Sequence, residues 1–121
     1  MKENIAMQKS EAFAVRIVRL SDYLRQEKKE YILSKQILRA GTSIGANLAE
    51  SAFAISKNDF LAKVYISIKE VSETLFWLRL LRKSEYVTEK EFESLYRDCE
   101  ELGKILMATI KTTKSNLACK K

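Results

Sequence analysis

The chain has 121 residues, of which 46% are hydrophobic and 31% are charged. This balance is typical of one soluble globular domain and excludes a disordered tail. Proline is absent and glycine occurs three times, so the chain lacks the turn residues that a many-stranded β protein needs. Histidine is also absent, which removes the commonest general base and a frequent metal ligand. We therefore expect an all-α fold.

The net charge, the cysteines and the apolar runs indicate in which cellular compartment the protein lies and which kinds of partner it has. The formal net charge is +6, with an excess of three basic residues in each half of the chain, so neither half is a dedicated basic arm. Cys99 and Cys119 are too far apart for a CxxC unit and form no disulfide framework. The first residues lack the apolar run of a signal peptide, and no stretch has about 20 apolar residues in succession. We expect a cytoplasmic protein without a membrane partner.

The spacing of the apolar residues predicts four helices, over residues 10–28, 31–54, 58–83 and 88–115. Ser10 is the expected N-cap of the first helix, and the run 56–59 offers side-chain acceptors at the start of the third. Thr88 and Glu91 form a capping box before the fourth. Because short connections join antiparallel neighbours, the prediction is an up-down-up-down four-helix bundle in a single domain, 1–121.

A row of polar residues follows one side of the second predicted helix. Its members step by three and four positions beside the apolar stripe: Gln36, Arg39, Ser43, Asn47 and Glu50. Gly41 and Gly45 lie one turn apart next to this row, where they allow close approach of a neighbouring helix at a propensity cost of about 1 kcal/mol each. If the second and third helices are antiparallel, Glu70 and Glu73 are candidate partners for Arg39 or Asn47.

Two interpretations of this polar row are open. The first is a buried, fully satisfied network that fixes helix register and subunit geometry. The second is a ligand or catalytic site, for which the pair Glu70 and Glu73 invites comparison with di-metal carboxylate bundles. Those bundles use Glu-x-x-His motifs, and this chain has no histidine. We expect neither a metal nor a cofactor nor catalytic residues.

The third predicted helix has apolar residues on more than one side. Its core stripe is predicted to be Phe60, Val64, Ile68, Val71, Leu75 and Leu78. A different face carries Ile66, Trp77, Leu80 and Leu81, and Tyr65 and Phe76 fall elsewhere on the circumference. A small bundle covers one side of a helix, so the second face predicts contact between copies of the chain. Scattered surface aromatics are the alternative explanation.

The runs 36–50, 54–60 and 69–74 carry a recognisable pattern of glycine, polar and charged residues. They resemble the small four-helix-bundle proteins encoded by intervening sequences in bacterial 23S ribosomal RNA genes, and the likeness extends from about Ser10 to Ser115. The resemblance implies a ring-like homopentamer similar to the accessory variability determinant of diversity-generating retroelements, a basic pentamer that binds nucleic acid. It transfers no catalytic residue. Gln36, Arg39, Ser43, Asn47, Glu50, Glu70 and Glu73 correspond only to signature positions.

Three functional hypotheses follow. The first is a non-enzymatic homo-oligomer, pentameric by resemblance, whose basic surface binds RNA or DNA. Its candidate contacts are basic residues off the core stripes: Arg16, Arg19, Arg25, Arg79, Arg82, Lys83, Lys111 and Lys114. The second is a protein-interaction scaffold without a nucleic-acid role. The third, an enzyme using Arg39, Glu70 and Glu73, requires a cleft and a tuned carboxylate. We expect no small-molecule substrate.

Overall fold

The computed structural model describes the backbone of residues 4–119 and the side chains of residues 4–116. The elements are four helices: α1 (Ile5–Gln26), α2 (Leu33–Ser51), α3 (Lys57–Lys83) and α4 (Glu89–Cys119). Each helix packs on the next in chain order and α1 closes against α4, so α1 is diagonal to α3 and α2 to α4. The expected all-α four-helix bundle is confirmed. Within the described range, no helix is long and apolar enough to cross a bilayer.

The first helix begins earlier than the sequence pattern indicated. Asn4 is its N-cap, and the Asn4 side chain accepts a hydrogen bond of 3.1 Å from the backbone amide of Met7. The prediction that Ser10 caps α1 is wrong. Ser10 is fully buried within the helix, and its hydroxyl donates to the carbonyl of Ala6 at 2.7 Å. Inside a helix, a serine hydroxyl can donate to the carbonyl of the preceding turn, so a serine does not by itself mark the start of a helix.

The other helix boundaries follow from local hydrogen bonds. The Glu30 carboxylate accepts from the amides of Ile32 and Ser34, so it satisfies free donors at the start of α2 in place of a capping side chain at Ile32. At the start of α3, Ser56 Oγ accepts from the Asp59 amide at 3.0 Å.

The predicted capping box before α4 is confirmed. The Thr88 amide donates to the Glu91 carboxylate at 3.0 Å, and the Glu91 amide donates to Thr88 Oγ1 at 3.1 Å.

The core of the bundle uses a slightly different stripe of α3 from the one predicted. Phe60, Ile68 and Leu75 are only partly buried beside the core. The helix turns Ser67 and Thr74 inward, where their hydroxyls donate to the carbonyls of Ile44 and Glu70 at 2.9 and 2.7 Å. These buried polar side chains are satisfied by backbone acceptors, so apolar periodicity alone misplaces the stripe.

Leu81 also belongs to the core. It is 1% exposed, so the prediction that it lies on an outer interface is wrong. The remaining buried side chains of α3 are Leu61, Val64, Val71 and Leu78.

The two glycines of α2 lie against α1, and they differ in the space around them. A Cβ placed on Gly41 would be 2.8 Å from two side-chain carbons of Ile17, a fully buried residue. A Cβ on Gly45 would meet its nearest atom, Ser10 Cβ, at the ordinary distance of 3.4 Å. Gly41 is therefore required by packing, whereas Gly45 is compatible with alanine.

This difference predicts opposite effects of two identical substitutions. Gly41→Ala overpacks the core against Ile17 and lowers the free energy of unfolding by about 1–2 kcal/mol after the gain in helix propensity. Gly45→Ala raises it by about 0.5–1 kcal/mol. Urea unfolding followed by circular dichroism, at equal chain concentrations, measures both. A Gly41→Ala protein as stable as Gly45→Ala would contradict the assignment.

Candidate functional site: the α2–α3 seam and the outer face of α3

The structure brings four of the conspicuous side chains together at the seam between α2 and α3. The Arg39 guanidinium donates to Glu70 Oε2 at 3.0 Å and to Glu73 Oε2. The indole Nε1 of Trp77 donates to the same Glu73 oxygen at 2.9 Å. Because residues three and four apart share a helix face, Glu70, Glu73 and Trp77 form one stripe of α3 that faces Arg39. We name these four residues the seam cluster.

The seam cluster lies at the surface, so it is not the buried network of the first interpretation. Half of the Arg39 side chain is exposed, as is 36% of Glu73, while Glu70 is 16% exposed. The Trp77 and Arg39 hydrogen bonds lower the pKa of Glu73, and the bond to Glu73 raises the pKa of Arg39. A carboxylate held ionised by two donors is a poor proton donor near neutrality. The seam cluster is therefore suited to joining helices.

The other residues of the predicted polar row do not join the cluster. Asn47 Nδ2 donates at 2.9 Å to the Ser43 carbonyl of its own helix. Glu50 forms an ion pair of 3.1 Å with Lys63, further along the α2–α3 seam. Gln36 is exposed. The row thus divides into separate local contacts. Among the described residues, no group of acidic and cysteine side chains has an arrangement that could hold a metal ion.

An apolar surface lies next to the seam cluster on the outside of α3. We define the outer α3 face as Tyr65, Ile66, Phe76, Trp77 and Leu80. Tyr65, Ile66 and Phe76 are 38%, 40% and 48% exposed, and Trp77 and Leu80 are partly buried. The Phe76 and Trp77 rings pack edge to face, with centroids 5.0 Å apart. Since Glu73 holds the Trp77 indole, the seam cluster also orients this aromatic pair.

The predicted nucleic-acid contacts fall into three groups. Three make ion pairs: Arg16 with Asp98, Arg25 with Asp22, and Arg82 with Glu89. Two others have their cations near aromatic rings, Arg79 at 5.9 Å from the Tyr96 centroid and Lys114 at 5.4 Å from that of Tyr65. Arg19, Lys83 and Lys111 are exposed, with no ion pair to any described side chain. Of the eight predicted contacts, these three cations are the most available to an external anion.

The cysteines offer no reactive thiol in the described part of the chain. Cys99 is fully buried on the core side of α4, and burial raises its pKa to about 12. Such a thiol is inert as a nucleophile. The side chain of Cys119 lies outside the described residues.

Sequence reasoning missed the residues with the greatest apolar exposure. Phe53 and Ile55, in the connection between α2 and α3, are 87% and 92% exposed. The predicted second helix ran to residue 54 and so placed Phe53 inside a helix. The useful signal was the N-cap at Ser56, because an apolar residue just before a cap lies in a loop.

The comparisons with known proteins agree with this geometry. A family profile described as 23S rRNA-intervening sequence protein matches residues 2–108. The chain belongs to this family. A similar solved structure is the crystal structure of a protein with unknown function from the S23 ribosomal protein family of Bacteroides thetaiotaomicron VPI-5482. It has 48% identity and a TM-score of 0.88, covering 88% of this chain and 99% of that one. No curated protein matches.

The family profile begins at residue 2, earlier than the resemblance drawn from about Ser10, and ends at residue 108. This earlier start agrees with the start of α1 at Ile5. The expected family membership is confirmed.

The hydrogen bonds to Glu73 predict a measurable change in its pKa when one of the donors is removed. Its pKa lies below the ordinary 4.5, and Trp77→Phe raises it toward that value because the indole donor is lost. Since the folded pKa is depressed, Glu73 contributes stability at neutral pH that disappears as the pH falls through its folded pKa. Carbon-detected NMR titration of the Glu73 carboxyl measures the shift. An unchanged pKa in Trp77→Phe, with the fold retained, would contradict this assignment.

Proposed function

We propose that this family member is a non-enzymatic, cytoplasmic homo-oligomer, a pentamer by its resemblance, whose combined basic surface binds RNA or DNA. The single observation that carries the proposal is the outer α3 face. Of this face, the four-helix bundle leaves Tyr65, Ile66 and Phe76 38%, 40% and 48% exposed, and Trp77 and Leu80 partly exposed. Large apolar side chains exposed along one face of a helix favour contact with another molecule.

A ring of identical chains also needs a second contact surface. Cyclic rings larger than dimers use heterologous contacts, so the outer α3 face of one copy packs on a different surface of the next. Val15 and Val18 of α1 are 48% and 43% exposed. Because α1 is diagonal to α3, these valines lie on another side of the bundle. They are our candidates for the complementary surface.

Assembly increases the electrostatic attraction of the protein for polyanions. One chain carries +6, and five chains carry about +30 on a single particle. The cations without ion pairs, Arg19, Lys83 and Lys111, are the primary candidates for phosphate contact. The ion-paired Arg16, Arg25 and Arg82, and the ring-associated Arg79 and Lys114, are secondary candidates.

A second candidate function is a protein-interaction scaffold with no nucleic-acid role. The observation that favours it is that five of the eight candidate cations already engage an acid or an aromatic ring of the same chain. In this alternative the outer α3 face binds another polypeptide, and the net charge serves solubility.

The two candidates differ in their response to salt. We expect a labelled, structured fragment of ribosomal RNA to bind at low salt, with the logarithm of affinity falling linearly with the logarithm of salt concentration. Replacing Arg19, Lys83 and Lys111 with glutamine should reduce the magnitude of the salt slope. A control with the same charge change replaces Lys29, Lys35 and Lys90 and should retain the slope. Absence of binding at low salt would refute the nucleic-acid role and favour the scaffold.

A further inference from the structure

A pocket opens along the seam between α1 and α4, where the two helices pack on each other less extensively than the other neighbouring pairs do. We name it the α1–α4 pocket, and its volume is about 300 Å³. Its lining comes from both helices: Arg16, Arg19, Leu20, Tyr23, Glu91 and Leu95. Small-molecule sites have volumes of about 300–1,000 Å³, so this pocket has room for one planar group rather than for a large ligand.

The α1–α4 pocket has an apolar floor and an aromatic wall. Leu20 and Leu95 are buried and belong to the core of the bundle. Tyr23 is exposed, so a ligand in the pocket can reach its ring, and Lys28 Nζ lies 5.9 Å from the ring centroid. Aromatic side chains in such a position stack on unpaired bases.

The two arginines of the pocket differ in how far their donors are satisfied within the chain. The Arg16 guanidinium donates to Asp98 Oδ2 at 2.6 Å and to Ser94 Oγ at 3.0 Å, so it joins α1 to α4. Arg19 is exposed and makes no ion pair with any described side chain. Of the two cations that line the pocket, Arg19 is therefore the one available to an anionic ligand.

Glu91 presents a free acceptor to the same pocket. Its Oε1 accepts from the amide and from the hydroxyl of Thr88, at 3.0 and 2.9 Å, in the capping box of α4. Its Oε2 accepts from no described group, and an ionised carboxylate only accepts hydrogen bonds. A ligand that complements the pocket therefore carries a flat ring for Tyr23, an anion for Arg19 and N–H donors for Glu91.

A guanine nucleotide combines these three features. The Watson–Crick edge of guanine presents two neighbouring donors, N1–H and the 2-amino group. In adenine and cytosine the amino group lies beside a ring nitrogen that accepts, and in uracil the single N–H lies between two carbonyl groups. A carboxylate on this edge thus favours guanine over the other bases.

We propose that the α1–α4 pocket binds one unpaired guanine nucleotide of a nucleic-acid strand, an inference that rests on the proposed function. The base lies over the leucine floor against the Tyr23 ring, its N–H groups donate to Glu91 Oε2, and its phosphate accepts from Arg19. The guanine must be unpaired because base pairing occupies the same edge. The site is distinct from the outer α3 face, since α1 is diagonal to α3, and Val15 and Val18 are not part of its lining.

The test measures fluorescence anisotropy at low salt with labelled 12-nucleotide RNAs, all uridine except for one central base, which is guanine, hypoxanthine or adenine. We expect the guanine RNA to bind about tenfold more tightly than the adenine RNA, because a base edge held by two hydrogen bonds discriminates by about 1–3 kcal/mol. Hypoxanthine, which lacks the 2-amino group, should give an intermediate affinity.

Glu91→Gln should remove the preference for guanine, because the carboxamide replaces one acceptor with a donor. Glutamine also completes a capping box, so the variant retains the fold, which circular dichroism verifies. Glu93→Gln is the matched control, because it makes the same charge change at an exposed position of α4 outside the lining. It should retain the preference for guanine.

Two further substitutions separate stacking from charge. Tyr23→Ser should weaken binding of the guanine RNA about tenfold, the loss of one stacked base, whereas Tyr23→Phe should retain it. Tyr31→Ser, at an exposed tyrosine outside the lining, should bind like wild type. Arg19→Gln should weaken binding of all three RNAs equally and reduce the magnitude of the salt slope, because a phosphate contact is lost.

The possible failures are distinguishable. If the three RNAs bind with equal affinity, or if Glu91→Gln keeps the preference for guanine, the pocket assignment is refuted and the proposed function stands. Binding of the structured ribosomal RNA fragment without binding of any 12-nucleotide RNA has the same meaning. If neither the fragment nor the short RNAs bind at low salt, the proposed function fails and this inference fails with it.

Discussion

The hydrogen bond from Trp77 to Glu73 connects the seam cluster with the outer α3 face, and the interpretation of this protein depends on both. Glu73 also accepts from Arg39, so α2 is connected to α3 at the same carboxylate. The indole is thereby fixed at the margin of the bundle, and the Phe76 ring packs against it at an interplanar angle of 71°. One ionised side chain thus accepts hydrogen bonds from both α2 and α3 and orients the indole of the outer α3 face.

The fold was largely predictable because its determinants are local. The absence of proline, the apolar spacing and the capping signals at Ser56 and Thr88 predict helices without reference to tertiary structure. Ser10 was misassigned because serine both caps helices and bonds within them, and the difference depends on what precedes it. Leu81 was misassigned because buried Ser67 and Thr74 shift the inward stripe of α3, which hydrophobicity alone does not reveal.

The residues of the seam cluster could be predicted from the sequence, whereas their exposure to solvent could not. Spacing predicted that Glu70 and Glu73 could meet Arg39, since both helices present these residues on facing stripes. The half-exposed position of the cluster depends on how deeply the helices pack, which no periodicity encodes. Phe53 and Ile55 were missed because the end of α2 is set by loop hydrogen bonds. The runs 36–50, 54–60 and 69–74 carry the family resemblance, which implies the ring-like pentamer, whereas the four helices and the contact between copies are predicted from residue patterns.

The central claim is that copies of this chain cover the outer α3 face, and the mass of the purified protein by light scattering tests it most directly. The interpretation predicts about 70 kDa, five times the 14.0 kDa of one chain. Phe76→Glu should reduce the mass to that of one chain because it places a charge in the apolar contact. Ala46→Glu, an equivalent change at an exposed position of α2, should retain the assembly. A wild-type mass of 14 kDa at high concentration would contradict the claim.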